Sequence, residues 1–393
     1  MAEGPRVLYH HRTRAFDGQA VHIREMLRAF EKMGVPYREV ALVRQREGME
    51  SLALNGALGG GVLRRLSLPR AVVECLEVLY SSKGAKMLCQ AALEFSPDLI
   101  YERHALHCEA GLRAARKMGV PLFLEVNSPM VGEMESLGLL KFPKRARRSE
   151  RRVLEGADRI FVVTRVLGDI LVRAGADPSK IVVTPNGADL SAFEGALEAG
   201  KKFRQKQGIS PTAFVMGFVG FPRAWHRLDR VLDAWKSLGT LAKDCFLLIV
   251  GEGPAVPPLL AKARAMGFAH KIAVTGPLPR SALKGPVGAF DLAMIPAINP
   301  YASPLKLLDS LAAGIPTLVP DQPNLHEHVR PGEHALFFDP NSPSSFVQSL
   351  REALEDVDAL KSLGKRGRQH LLDAGMTWEA NARRVCEEWK SLG

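Results

Sequence analysis

Ser303-Pro304-Leu305-Lys306-Leu307-Leu308-Asp309 brings together residue types that could seat a diphosphate. Ser303 is placed to cap a helix, and Pro304 suits its first turn, where a missing backbone N–H costs nothing. The next amides, from Leu305 onward, then face outward. An anion there meets those donors and the positive end of the helix dipole, with Lys306 adding a mobile cation. Asp309 lies further along the same helix, where a carboxylate could reach a ribose diol. The competing reading is an ordinary capped helix ending at Gly314.

A second group of cations follows an apolar run, in Gly217-Phe218-Val219-Gly220-Phe221-Pro222-Arg223-Ala224-Trp225-His226-Arg227. Arg223 suits bidentate contact with a diphosphate, and His226 can donate to phosphate and gain positive charge beside it. Two more apolar runs end in Gly251-Glu252-Gly253-Pro254 and Val274-Thr275-Gly276, small-residue exits on which a flat base could pack against backbone. Gly18 precedes the helix containing His22 and permits close backbone approach to a phosphate or sugar. Phe16-Asp17-Gly18-Gln19-Ala20 holds a single glycine, which counts against the dinucleotide fingerprint and a nicotinamide cofactor. Simple turns and surface arginines are the alternatives.

The elements that must position these residues alternate along the chain. Short β-rich runs (RVLYHH, YREVALV, DLIYER, PLFLEVN, RIFVVT, IVVTPN) are separated by helical stretches near 19–33, 70–94, 106–118, 134–156 and 166–174. After a Lys-rich stretch around 196–208 the alternation restarts with FVMGFVG, FLLIVG, KIAVTG, DLAMIPA, PTLVP and ALFFD. Continuous apolar strands between amphipathic helices indicate parallel sheets covered on both faces. The expected fold is therefore α/β, with two doubly wound Rossmann-like domains, 1–195 and 196–376, whose carboxyl-end crevices face a central cleft. A last helical segment occupies 377–393.

A length of 393 residues also suits two domains, and a hydrophobic fraction of 46% is ample for burial. No apolar run approaches the roughly 18 to 20 residues of a membrane span, and the N-terminus lacks an export-signal pattern, so the cytoplasm is the expected location. Cys75, Cys89, Cys108, Cys245 and Cys386 are scattered and read as reduced core thiols. His104, His107 and Cys108 fall together without a second ligand cluster, and no metal site is expected. The net charge is +11, with Lys141, Lys144, Arg145, Arg147, Arg148, Arg151 and Arg152 concentrated in one stretch. That stretch reads as a solvated helix face, as a seat for a lipid diphosphate acceptor, or as peripheral contact with an anionic membrane, on the inner face in a cytoplasmic protein. Sparse aromatics and the absence of a recognised motif disfavour nucleic acid. No repeat of solenoid period is present.

The chain resembles the retaining nucleotide-sugar glycosyltransferases of GT-B architecture, family 4, over nearly its whole length. The likeness rests on Gly18 with His22, Tyr101-Glu102-Arg103, Leu124-Glu125-Val126-Asn127-Ser128-Pro129 and Ala157 to Thr164. Its most specific marker is Val183-Thr184-Pro185-Asn186-Gly187-Ala188-Asp189, joined in the second half by the Arg223 loop, Gly251 to Pro254, Thr275-Gly276 and Ser303 to Gly314. The resemblance implies transfer of a sugar from a nucleoside-diphosphate donor, UDP- or GDP-linked, to a hydroxyl of a glycan or lipid-linked acceptor. It implies retention of configuration and no metal or other cofactor. Arg223, His226 and Lys306, with the turn of Ser303, Pro304 and Leu305, would hold the phosphates. Asp309 would hold the ribose, Gly253, Pro254 and Thr275 the base region, and Gly18 would close over the diphosphate. The helix from Trp378 would cross back onto the first domain.

This sequence departs from the family at several positions. Two glutamates eight positions apart are replaced by Tyr301 and Asp309, and Phe221 and His226 stand where an arginine and a lysine are common. Asn127 takes the place of a histidine near the donor sugar. Asn127, Glu133 and Tyr301 are the candidates for sugar or acceptor contacts. A front-face reaction, in which the leaving phosphate helps deprotonate the acceptor, survives the loss of the first acid. A nucleotide-sugar epimerase of the same fold and a catalytically silent GT-B binding protein are the alternative readings.

Overall fold

The computed structural model describes residues 4–13, 18–43 and 68–393. They form two compact units, Met1–Pro185 with Trp378–Gly393, and Asn186–Thr377. In the first unit, β1 (Val7–His11), β2 (Tyr37–Ala41), β3 (Leu99–Arg103), β4 (Leu122–Val126), β5 (Arg159–Val162) and β6 (Ile181–Val183) make one parallel sheet. Its order is β2-β1-β3-β4-β5-β6. The second unit carries β7 (Phe214–Val219), β8 (Cys245–Val250), β9 (Ile272–Val274), β10 (Leu292–Met294), β11 (Thr317–Pro320) and β12 (Leu336–Phe338). These run parallel in the order β12-β11-β10-β7-β8-β9. Every apolar run singled out in the sequence is a strand, and both units are Rossmann-like.

Burial explains why the runs are continuous rather than alternating. All residues of β1, β3 and β4 are buried, as helix-covered parallel strands require, whereas edge strand β2 buries only Val40 fully. In the second unit Trp235, Phe338 and Phe346 fill one face of the sheet, and Leu307, Leu311 and Phe290 the other. In each sheet the order of strand addition reverses beside the first strand, between β1 and β3 and between β7 and β10. Crevices outside the carboxyl ends of strands open at such reversals.

Three expected boundaries move. The units divide at Pro185 and Asn186 rather than at 195 and 196. Residues 186–195 join the second unit because Asn186 bonds Ser303 and because Ala188 and Phe193 pack in its core; the helix Ala196–Lys206 follows, its Gly200 lying on the backbone of Gly288, where an added Cβ would stand 2.0 Å from the carbonyl oxygen. Arg204 ties it further to Asp291 at 2.6 Å. The single helix expected at 134–156 is two, Met130–Ser136 and Pro143–Gly156. Gly138, at φ 66°, turns the chain between them, and Pro143 starts the second. The helix expected from 106 starts at Ala110, where the buried Glu102 carboxylate accepts the Gly111 N–H at 2.7 Å.

The closing helix, Trp378–Lys390, belongs to the first unit. Trp378 is buried edge-on against His22, with ring centres 5.0 Å apart, and Lys32 meets Glu379 at 2.8 Å. Arg159 meets Glu388 at 2.7 Å, and Asn381 donates to the Pro185 carbonyl at 2.6 Å.

Candidate functional site

At the reversal in the second unit, β7 delivers the Arg223 loop and β10 leads to the Lys306 helix, so the cations reach one crevice from its two flanking strands. The floor is backbone. Gly251, at φ 137°, sits so close to Gly220 that a Cβ would stand 1.9 Å from the Gly220 carbonyl oxygen. Gly253 is pressed on Pro222 in the same way, at 2.4 Å, and Ala255 donates to the Pro222 carbonyl at 3.1 Å. Pro254 is exposed on the outer side of this loop. A bridge from Gly251 to Gly276 joins the exit of β9, where the Thr275 hydroxyl donates to the Gly276 carbonyl at 2.7 Å.

Ser303 does not cap the helix. The helix is Leu305–Ala312, Pro304 is its N-cap in extended conformation, and among the described residues no side chain bonds its first amides. The Ser303 hydroxyl is engaged elsewhere, accepting the Asn186 N–H at 3.1 Å and bonding His328 Nε2 at 2.7 Å. Asn186 Nδ2 also donates to the Ser303 carbonyl, at 2.6 Å. Burial holds His328 near a pKa of about 4, so it is neutral. The amides of Leu305 and Lys306 have no acceptor among the described residues, while Leu307 already donates to Pro304. Two donors are therefore presented at the positive end of the helix.

Lys306 Nζ lies 3.9 Å from the ring centre of Phe218 and close to Gly220. Burial lowers its pKa from 10.5 to about 7. The His226 ring stands edge-on to the same Phe218 at 5.1 Å and stacks on Trp225 at 3.7 Å. Its Nδ1 accepts the Arg223 N–H at 3.0 Å. Burial, followed by the charges of Lys306 and Arg223, drives its pKa down to about 3. Without a phosphate beside it, His226 is thus a neutral donor through Nε2. Arg223 is exposed, with its guanidinium over Phe221 at 5.5 Å. Arg227 is bound by Asp229 at 3.1 Å.

Asp309, buried on the same helix, is held by Arg280 through two parallel bonds of 3.0 and 2.7 Å. Tyr301 is also buried, and its hydroxyl accepts from Asn299 Nδ2 at 2.8 Å.

The remaining candidates belong to the first unit. Gly18 opens the helix Gly18–Lys32, and the preceding residues 14–17 lie outside the described ones. Asn127 is turned toward Glu125, donating to its Oε1 at 2.7 Å, and its own Oδ1 is buried without a partner among the described residues. Glu125 also takes the Arg103 guanidinium, His22 at 3.0 Å and the Tyr9 hydroxyl at 3.3 Å. Burial alone would raise its pKa, but His22, Arg103 and Asn127 together hold it well below the usual carboxylate range. Glu133, half-buried in the helix Met130–Ser136, is shifted upward by that burial. His10, Glu102 and Cys108 bring potential metal-ligand atoms within 4.8 Å of one another. Both nitrogens of His10 are already engaged, Nδ1 by Glu102 and Nε2 by the Tyr80 hydroxyl at 3.0 Å, which ties His10 and Glu102 into a hydrogen-bonded network. Of the cysteines expected in the core, Cys75 is exposed and Cys89 half-buried.

Family models described as "Glycosyl transferase 4-like domain" and "Glycosyl transferases group 1" match residues 17–187 and 200–370. The chain belongs to the family 4 type of GT-B glycosyltransferases. Two curated relatives, both named D-inositol 3-phosphate glycosyltransferase and found in Rhodococcus jostii and Thermomonospora curvata, are each 27% identical to it. Those matches cover 75% and 74% of this glycosyltransferase, which spans 66% and 70% of the relatives' own length. The structure of Anabaena HepE in complex with UDP shares the fold, with a TM-score of 0.71 at 14% identity over 98% of this chain and 100% of that one.

In this glycosyltransferase, sequence reasoning missed His328, Arg280 and the Glu125 cluster. Asn186 stands in the family marker, but nothing local in the sequence announces its grip on Ser303. Apart from Asn127 beside Glu125, none has a local signature, because the other partners are remote in the chain.

Proposed function

We propose that the protein transfers a glycosyl group from a UDP- or GDP-sugar to a hydroxyl of a glycan or lipid-linked acceptor, with retention of anomeric configuration. The observation that carries this reading is the convergence of Lys306 and His226 on Phe218, beside the open amides of Leu305 and Lys306. Charge appears on the nucleoside diphosphate as the C1–O bond breaks, and fixed donors in a partly buried site stabilise it most at that point. Arg223, at the exposed edge, adds a second cation. The acceptor oxygen bonds to C1 on the face the phosphate leaves, and its proton passes to a departing phosphate oxygen. The environments of Tyr301 and Asp309 favour this route, since one is a hydrogen-bonded phenol and the other is clamped by Arg280. Neither supplies an unengaged carboxylate nucleophile.

In the same reading the exits at Gly253, Pro254 and Thr275 line the base, and Asn127, Glu133 and Tyr301 meet sugar or acceptor. No metal or cofactor is assigned a role. The relatives' names add a phosphorylated cyclitol to the acceptors worth testing. A thermal-shift screen against UDP, GDP, ADP and TDP tests the donor class, because a ligand of the native state raises its melting temperature. Proton NMR of the product from the selected donor sugar then reads the anomeric configuration. No stabilisation by any of the four, or an inverted product, sinks the proposal.

We also propose that the protein works in the cytoplasm with peripheral contact to an anionic membrane. No helix among the described residues is long and apolar enough to cross one. Val72, Leu76 and Leu79 form an exposed stripe on the helix Arg70–Phe95. Buried Glu74 fastens that helix to the chain entering the basic helix Pro143–Gly156, by accepting the N–H groups of Lys141 and Phe142 at 2.7 and 3.0 Å. Exposed Lys144, Arg145 and Arg148 follow directly. Apolar contact beside cations is the pattern of interfacial binding. Co-flotation with phosphatidylglycerol vesicles, absent with phosphatidylcholine alone, is the expected result.

A further inference from the structure

The geometry points to Arg280 as a positioning residue that fixes Asp309 to accept one ribose hydroxyl, and so sets a preference for ribonucleotides over deoxyribonucleotides. This rests on the nucleotide-binding reading above. Asp309 lies three and four residues beyond Lys306 and Leu305, on the helix side adjoining the open amides. At about 1.5 Å of rise per residue, that is roughly 5 to 6 Å past the anion seat, the distance at which the sugar next to a bound phosphate would sit.

Alone, a buried aspartate there could rotate about its side-chain torsions and swing away from a ligand. The Arg280 fork removes that freedom, because Nη1 and Nη2 grip one oxygen each, at 3.0 and 2.7 Å. Both side chains are well shielded, at 13% and 4% exposure, so the grip is not a loose surface pair. Among the described residues the Asp309 side chain has no other partner, which leaves a lone pair outside the fork on each oxygen. Such lone pairs of a forked carboxylate diverge. They therefore suit a single hydroxyl, not both hydroxyls of a vicinal diol as an unforked carboxylate would. Arg280 supplies by clamping what the short aspartate side chain lacks in reach.

The test compares binding of UDP, its 2′-deoxy and 3′-deoxy analogues and inorganic pyrophosphate by calorimetry, with GDP analogues if the screen selects guanosine. For the wild type, one deoxy analogue is expected to bind about tenfold more weakly than UDP and the other nearly as well. In Arg280→Ala that discrimination should fall to within about twofold while pyrophosphate affinity is kept, since the anion seat is untouched. Arg280→Lys keeps a charge but not the fork, and should also lose most of the discrimination; it decides the matter if the alanine variant does not fold. Undiminished discrimination in these variants, or pyrophosphate binding lost in step with UDP, overturns the inference. A wild type that binds pyrophosphate but no nucleoside diphosphate overturns the underlying reading instead.

Discussion

Replacing Lys306 with methionine probes the anion seat most directly. Methionine keeps the apolar stem and removes the ammonium that lies over Phe218. A pKa lowered from 10.5 to about 7 corresponds to roughly 5 kcal/mol against the charged form at about 1.4 kcal/mol per pH unit. Partial exposure reduces that to a few kcal/mol. The folded value lies below the unfolded one, so the lysine opposes folding in full below pH 7, where the folded protein must carry the charge. This opposition fades as the pH rises from about 7 toward 10.5. Without nucleotide, Lys306→Met should therefore resist denaturant better than the wild type at about pH 6, with the gap closing toward about pH 10. A bound diphosphate supplies the missing counter-charge and restores the proton. Calorimetric titration of UDP at about pH 8.5, in two buffers of different ionisation enthalpy, should show uptake of close to one proton by the wild type and none by the variant. The variant's affinity should fall by about 1 to 3 kcal/mol. Tight UDP binding by the wild type with no buffer dependence would refute the reasoning.

Three further outcomes are expected. Glu125→Ala leaves Arg103 buried without its partner and should destabilise the first unit by about 3 to 5 kcal/mol, read from denaturant unfolding. In the wild type this carboxylate, with its lowered pKa, contributes stability above the ordinary carboxylate value near 4.5, and the contribution is lost as pH falls below it. Gly251→Ala places a Cβ 1.9 Å from the Gly220 carbonyl at a φ of 137°, so UDP binding should be abolished along with a clear drop in melting temperature. Arg223→Ala, at an exposed edge, should weaken UDP by only about 1 kcal/mol and by less as salt is raised, measured by titration at two ionic strengths.

What the sequence revealed follows from how far apart the interacting residues lie. The twelve strands were legible because each is an apolar run closed by glycine, proline or a polar pair, and burial in a parallel sheet demands that pattern. Arg223, His226 and Lys306 were legible as one group because they leave strands that the topology places side by side. The role of Ser303 was misread. A serine before Pro-Leu-Lys satisfies the local rule for a cap, but Asn186 and His328, 117 and 25 positions away, compete for its hydroxyl and win. That His226 is neutral without a phosphate was not legible, since burial and the charge of Lys306, 80 positions away, outweigh the intrinsic basicity of imidazole. The break after Ser136 escaped notice because Leu137, Leu139, Leu140 and Phe142 keep the segment apolar through the turn.

The pairing of Ala188 with Thr377 has a consequence for biosynthesis. The second unit starts and finishes at neighbouring points, so it is nested inside the sequence of the first like a parenthesis. As the chain emerges from the ribosome, the inner unit is complete while the outer one still lacks the Trp378 helix that covers His22. Translation that stops just short of that helix would yield an intact inner unit attached to an unfinished outer one, with a hydrophobic scar exposed for quality control to find.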